Sequence, residues 1–236
     1  MSKDRRRNNT GLLIALLVVV VFPLGFYYYF EHLRKEGGTK LPDVPILSKD
    51  SIPFFKFVNQ LGDTITADSL KGKIVIADFF YTTCPGMCIQ LTSSMERVQN
   101  MLAKNEAIKT PYLLLSHTVN PANDSVPVLK SYAQTHHVDP EKWWLLTGKQ
   151  EELYALATQF YKLPAMQVNP DSALIEPFVH SERFAVLDKE GRIRGYFDGR
   201  DTAQVNKLME TVVLLDIKYA QEKAIEEKKI RKGKKD

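Results

Sequence analysis

The longest uniform stretch of the chain is apolar. Gly11 to Phe30 (GLLIALLVVVVFPLGFYYYF) holds no charged residue. Twenty residues at helical rise span about 30 Å, the hydrocarbon thickness of a bilayer. The run predicts a retained membrane-spanning helix. A cleaved signal peptide has a shorter apolar region and a small-residue cleavage site. This run ends instead in Phe26, Tyr27, Tyr28, Tyr29 and Phe30, side chains that suit a bilayer interface. From Glu31 to Ser51 the pattern turns polar, with Gly37, Gly38, Pro42 and Pro45, and predicts a tether.

Beyond the tether, short apolar runs alternate with helical periodicity. Ile52–Val58 predicts a strand, Asn59–Asp63 a turn, Thr64–Thr66 the start of a second short strand, and Ala67–Leu70 a helical turn. Ile74–Phe80 (IVIADFF) is almost wholly apolar, as expected of a strand covered on both faces of a parallel sheet. Met87, Leu91, Met95, Val98 and Leu102 recur at helical spacing, and Pro85 suits a first helical position. Tyr112–Ser116 predicts a second buried strand. Ser125–His136 and Gln150–Tyr161 predict amphipathic helices around a short strand at Trp143–Thr147. Pro164–Val179 reads as a long loop. Arg183–Leu187 and Ile193–Phe197 predict a hairpin across Asp188-Lys189-Glu190-Gly191, and Ala203 to about Ala220 a last helix before a solvated charged tail. This order predicts an α/β, thioredoxin-like domain: a parallel pair of strands with an antiparallel hairpin edge, and sites beyond the carboxyl ends of the strands. The expected organisation is a basic N-terminus (1–10), a transmembrane helix (11–30), a linker (31–51), the domain (52–218) and a tail (219–236).

Composition excludes some classes. With 236 residues, 44% apolar, 25% charged and 10% aromatic, the chain is neither wholly disordered nor collagen-like. Two cysteines are too few for a disulfide-scaffolded mini-protein. The net charge of +4 sits at the ends: residues 1–10 carry +3 and residues 228–236 carry +5, leaving the body at −4. A mildly acidic body argues against nucleic acid as a partner. Lys3, Arg5, Arg6 and Arg7 precede the apolar run, and only Arg34 and Lys35 follow it closely. The positive-inside rule therefore predicts a single pass through the inner membrane, with the N-terminus cytoplasmic and the main domain periplasmic or extracytoplasmic. Paired cysteines can be oxidised there.

The sharpest local signal is Cys84-Pro85-Gly86-Met87-Cys88. On a helix, i, i+4 spacing places both sulfurs on one face, able to close a disulfide or to converge on one metal. A helix N-terminus favours the thiolate, which is both the nucleophile of disulfide exchange and the ligand of soft metals. A static disulfide is the competing reading, although so short a loop constrains little chain. A four-cysteine zinc site is excluded by count. Asp78, six residues before Cys84, reads as a structural hydrogen-bonding group. Met87 reads as packing.

The stretch IVIADFFYTTCPGMCIQLTSSM resembles the core motif of the Sco/SenC family of membrane-anchored copper chaperones. PYLLLSHTVNPANDSVPVLKSYA, WWLLTG and VHSERFAVLDKEGRIRGYFDG agree in order and spacing, and together these cover most of Ile52 to Leu215. The resemblance implies a copper site made by Cys84, Cys88 and His180. Two thiolates and one imidazole suit copper by softness, and zinc with a fourth ligand stays open. Val179 stands where many members have Asp before the histidine, and Ile89 where many have Pro after the second cysteine. Neither change removes a ligand.

The resemblance also implies delivery of copper to the dinuclear copper site of a respiratory cytochrome c oxidase, with the copper-site subunit or another cuproprotein as client. The alternative is a thiol-disulfide oxidoreductase in which Cys84 and Cys88 form the redox-active pair and reduce client cysteines. A peroxiredoxin-like peroxidase would need a T-x-x-C motif, and the matching position is Tyr81. Among the other histidines, His32 is expected beside the membrane and His136 and His137 at a helix end. His117, at the carboxyl end of a strand, is an auxiliary-ligand candidate.

Overall fold

The computed structural model describes residues 21–36, 42–84, 86–167 and 178–233. The chain divides into two units, one ending at Asp43 and one beginning at Val44. The first contributes helix α1 (Phe22–Glu36), in which Phe22 and Phe26, one turn apart, stack at 6.4 Å. Residues 11–20 of the expected span lie outside the described residues. Among those described, no helix is long and apolar enough to cross a membrane.

The second unit carries β1 (Lys56–Val58), β2 (Thr64–Thr66), β3 (Ile74–Phe80), α2 (Met87–Lys104), β4 (Tyr112–Thr118), α3 (Val126–Thr135) and β5 (Trp143–Leu146). It continues with α4 (Gln150–Ala155), β6 (Ala165–Gln167), β7 (Phe178–His180), β8 (Arg183–Leu187), β9 (Ile193–Asp198) and α5 (Thr202–Gly233). Five strands form one sheet in the order β5-β4-β3-β8-β9. β3 runs parallel to β4 from Ile74↔Tyr112 to Phe80↔Thr118, and β4 parallel to β5. β8 pairs antiparallel with β3 and with β9. The parallel part therefore has three strands, edged by the expected hairpin.

Side-chain alternation on β3 explains its composition. Ile74, Ile76 and Phe80 face one buried cluster with Leu91, Met95, Val98 and Leu102 of α2, Leu129 of α3, and Val205, Leu208 and Val212 of α5. Val75, Ala77 and Phe79 face another with Phe57, Ile65, Leu153, Leu156 and Tyr161. All seven β3 residues are buried, as a strand with helices and loops on both faces requires. The α2 stripe is the periodicity read from sequence, and each such side chain contributes about 2 kcal/mol on burial.

Several elements differ from expectation. The first strand is shorter than Ile52–Val58, because Pro53 has no amide donor and Phe54 points to solvent. The segment after Val44 is docked where a free linker to Ser51 was expected. The Arg194 guanidinium donates to the Val44 carbonyl, Leu47 N to Ile193 O and Ile52 N to Gly191 O. Gln150–Tyr161 is α-helical only to Ala155. It then widens into a π turn, Leu156–Phe160, that buries Leu156, Ala157 and Phe160. The ends of the expected loop pair as β6 and β7, from Ala165↔His180 to Gln167↔Phe178; three-residue strands leave too little alternation to read. Finally, α5 runs to Gly233 through the expected tail. Its solvated residues Gln221–Lys229 are rich in Glu and Lys, both strong helix formers.

Candidate metal and redox site

β3 ends at Phe80, and the chain then turns towards α2. Cys84 donates its amide to Tyr81 O at 3.4 Å. Its side chain is buried, 6% exposed, in the cluster of Val75, Ala77 and Phe79. Gly86 is the N-cap of α2, which begins at Met87. Cys84 therefore precedes the helix, and the picture of two cysteines on one helical face is corrected: Cys88 lies in the first turn, while Cys84 sits in the strand-to-helix connection. The connection places both beside a helix N-terminus, where aligned peptide dipoles favour negative charge. Pro85 and the side chains of Met87 and Cys88 lie outside what the structure describes.

A buried carboxylate holds this connection. Asp124 has no exposure. Its Oδ1 accepts from Thr82 Oγ1 at 2.5 Å and Asn123 Nδ2 at 2.9 Å. Its Oδ2 accepts from the Thr82 amide at 3.2 Å and from Thr118 Oγ1. Thr82 is two residues before Cys84, Thr118 ends β4, and α3 starts two residues beyond Asp124. One side chain thus ties the cysteine segment to the neighbouring parallel strand. Sequence reasoning missed Asp124, because an acid just ahead of a helix reads as a capping residue; its hydroxyl partner Thr82 is 42 positions away.

His180 ends β7 opposite Ala165. Ala165 is buried in the same cluster as Cys84, so the ladder ties the backbone of His180 to a residue packed on the Cys84 side of the sheet. The His180 side chain lies outside what is described. Of the three expected ligands, only Cys84 has a described side chain. Among the described residues, no group of three or more His, Cys, Asp or Glu converges to hold a metal.

His117 is fully buried on the Cys84 side of the sheet. Its ring stacks on Phe79 at 5.1 Å and meets Phe57 at 6.0 Å and Tyr161 at 5.7 Å. Neither ring nitrogen has a hydrogen-bond partner among the described residues. Burial lowers its pKa to about 3, so the imidazole is neutral. Asp78 lies on the opposite face, bonded to Ser116, whose Oγ accepts the Trp143 indole N–H at 2.9 Å. Burial raises its pKa to about 7. The structural reading of Asp78 agrees with this chain of bonds. His136 packs its ring on Tyr132 at 4.2 Å, and His137 Nδ1 stands 3.3 Å from Glu96 Oε1; both lie at the end of α3. His32 falls within α1.

Comparison with known proteins adds to this geometry. The SCO1/SenC family model matches residues 46–213. The SCO1 protein homolog of Bacillus subtilis (strain 168) is 28% identical over 178 residues, 75% of this chain and 86% of its own length. BsSco, described as a member of the Sco family of cytochrome c oxidase assembly proteins with a disulfide switch, superposes with a TM-score of 0.59 at 24% identity, covering 70% of this chain and 93% of that one. ScoI of Bradyrhizobium japonicum, solved with copper bound, superposes with a TM-score of 0.56 at 22% identity, covering 69% and 99%. At these identities the two superpositions carry the fold: the α/β sheet and its helices match Sco structures.

Proposed function

Because this chain belongs to the SCO1/SenC family over residues 46–213, we propose that it is a copper metallochaperone. It holds its cargo through Cys84, Cys88 and His180 and delivers it to the dinuclear copper site of a respiratory cytochrome c oxidase. The observation that carries this reading is the placement of the cysteine pair where β3 gives way to the N-terminus of α2. Thiolates are favoured at such a terminus, and thiolate sulfur with imidazole nitrogen selects copper by softness. The SCO1 homolog of B. subtilis and the copper-bound ScoI support it.

The purified full chain in detergent tests this. After reduction it should bind one copper ion. Cys84→Ser or Cys88→Ser should abolish tight binding, since one thiolate and one imidazole leave an open site. His180→Ala should weaken binding and alter the Cu(II) spectrum while retaining part of the sulfur-to-copper charge transfer. The disulfide form should bind Cu(I) poorly and recover on reduction, because a disulfide offers no thiolate. Equal Cu(I) binding by the oxidised and reduced forms would place the ligands elsewhere. If His180→Ala still supported full oxidase assembly in cells, the work would be thiol reduction by the cysteine pair.

The same reading includes a single pass of residues 11–30, with the N-terminus in the cytoplasm and the domain outside, supported by the flanking cations. A reporter fused after Asp236 should be active only if it functions outside the cytoplasm. Cytoplasmic activity would reverse the assigned topology.

A further inference from the structure

The turn from β9 into α5 touches elements that lead to both parts of the proposed copper site. A Cβ at Gly199 would stand 2.5 Å from Leu91 Cδ2 and 2.8 Å from Phe184 Cζ. Both neighbours are wholly buried, so neither has free space to retreat into. Leu91 belongs to α2, three residues past Cys88, and i, i+3 residues neighbour each other on a helix. The same glycine donates its amide to the Glu182 carbonyl at 2.9 Å, and Glu182 is two residues past His180. Arg200 adds charge. Its guanidinium pairs with the Glu182 carboxylate, and with Asp198 Oδ2 at 3.2 Å. Its amide and Nε donate to Asp198 Oδ1 at 2.9 and 3.3 Å. Asp198 closes the β8–β9 ladder opposite Arg183.

Resting on the copper-site reading above, we infer that Asp198-Gly199-Arg200 is a bracket that sets the separation of the cysteine helix from the histidine strand. Gly199 is its point of close approach to the helix, and Arg200 is a positioning residue that acts on His180 through Glu182. Two observations favour this over simple packing. β7 is three residues long, and among the described residues it pairs with β6 alone. The strand that carries His180 therefore stands outside the five-stranded sheet, and Ser181-Glu182 joins it to β8. The Arg200 ion pairs are also partly exposed, Arg200 by 40% and Glu182 by 28%. Such pairs add little to global stability, so their loss should register at the copper site with the fold intact.

The test uses the full chain in detergent, reduced and loaded with copper. It reads Cu(I) affinity by competition and the Cu(II) charge-transfer and electron-spin-resonance spectra. Arg200→Gln should lower affinity about tenfold, the low end of losses when the groups supporting a metal ligand are removed. It should also move the spectra towards those of His180→Ala. Arg200→Lys, which keeps the charge, should recover part of both. In a His180→Ala background, Arg200→Gln should add nothing. Gly199→Ala should shift the spectra in the same sense, because Leu91 or Phe184 must move. Unchanged affinity and spectra in Arg200→Gln would overturn the bracket. So would an equal loss with and without His180, which would mean general loosening. Wild-type copper binding by His180→Ala would overturn the ligand set itself, an outcome distinct from both.

Discussion

Asp188→Ala should destabilise the domain by about 3–5 kcal/mol, the range for removing one partner of a buried ion pair. Asp188 is 1% exposed. Its Oδ2 accepts from Arg192 Nε at 2.9 Å and Arg194 Nη1 at 3.1 Å. Its Oδ1 accepts from the amides of Glu190 at 3.1 Å and Arg192 at 2.9 Å, closing the β8–β9 turn. The Arg194 side chain is 1% exposed, so alanine strands a buried cation whose carboxylate is gone. Arg194 also donates to the Val44 carbonyl, and the segment from Val44 to Ile52 should loosen with it. Chemical unfolding of wild type, Asp188→Ala and Asp188→Asn measures this. The amide keeps an acceptor for the turn and loses the charge, so the gap between wild type and Asp188→Asn reports the ion pair, and the gap between the two variants reports the turn hydrogen bonds. A loss below about 1 kcal/mol in Asp188→Ala would contradict a buried pair, because only exposed pairs are worth so little.

The second large effect is a pair of opposed pH dependences. Between pH 6.5 and about 3, an unfolded chain protonates His117 while the native chain keeps it neutral. Stability therefore falls as pH falls through that window. Between pH 3.8 and about 7, an unfolded chain releases the Asp78 proton while the native chain retains it. Stability therefore falls as pH rises through that window. Each group contributes about 1.4 kcal/mol per pH unit, with opposite signs, and from pH 3.8 to 6.5 they offset each other. Asp78→Asn should uncover the histidine: relative to wild type it loses stability as pH drops from about 7 to 4, by about 4 kcal/mol in all. His117→Phe, placed among Phe57, Phe79 and Tyr161, should uncover the aspartate and gain relative stability over the same descent. Unfolding curves at pH 4.5, 5.5, 6.5 and 7.5 decide the matter, and parallel pH profiles for wild type and Asp78→Asn would show that Asp78 ionises normally in the fold.

These residues show what sequence can carry. The apolar run of β3 and the stripe Leu91, Met95, Val98, Leu102 are periodic signals, and they placed the sheet and α2 correctly. The hairpin was legible from the Asp-Lys-Glu-Gly turn. Asp124 and Asp188 were not, since their roles depend on donors brought together by folding: Thr82 lies 42 positions from Asp124, and Arg194 is oriented by a strand pairing. The π turn after Ala155 escaped because its apolar residues also fit an ordinary helix. The cysteine spacing suggested a shared helical face, and Gly86 as N-cap moved Cys84 off it. The family resemblance reached the histidine strand, whose three residues carry no periodicity of their own.

The position of β3 in the sheet bears on when the cysteines become shielded. β3 meets β4 about forty residues later in the chain, but its other neighbour, β8, arrives only after about a hundred (Val75↔Leu187). Cys84 and Cys88 follow β3 directly and precede both partners in the chain. A chain made from its N-terminus therefore presents both thiols to solvent long before β8 can complete the sheet, and pairings so distant in sequence form slowly. In that interval ambient oxidant and the ordinary reactivity of unfolded cysteine govern the pair. A disulfide across five residues removes little freedom from such a chain, so early oxidation leaves the route to the native sheet open. Cys84 acquires its 6% exposure only as folding finishes, so the newborn protein inherits the redox state of its surroundings.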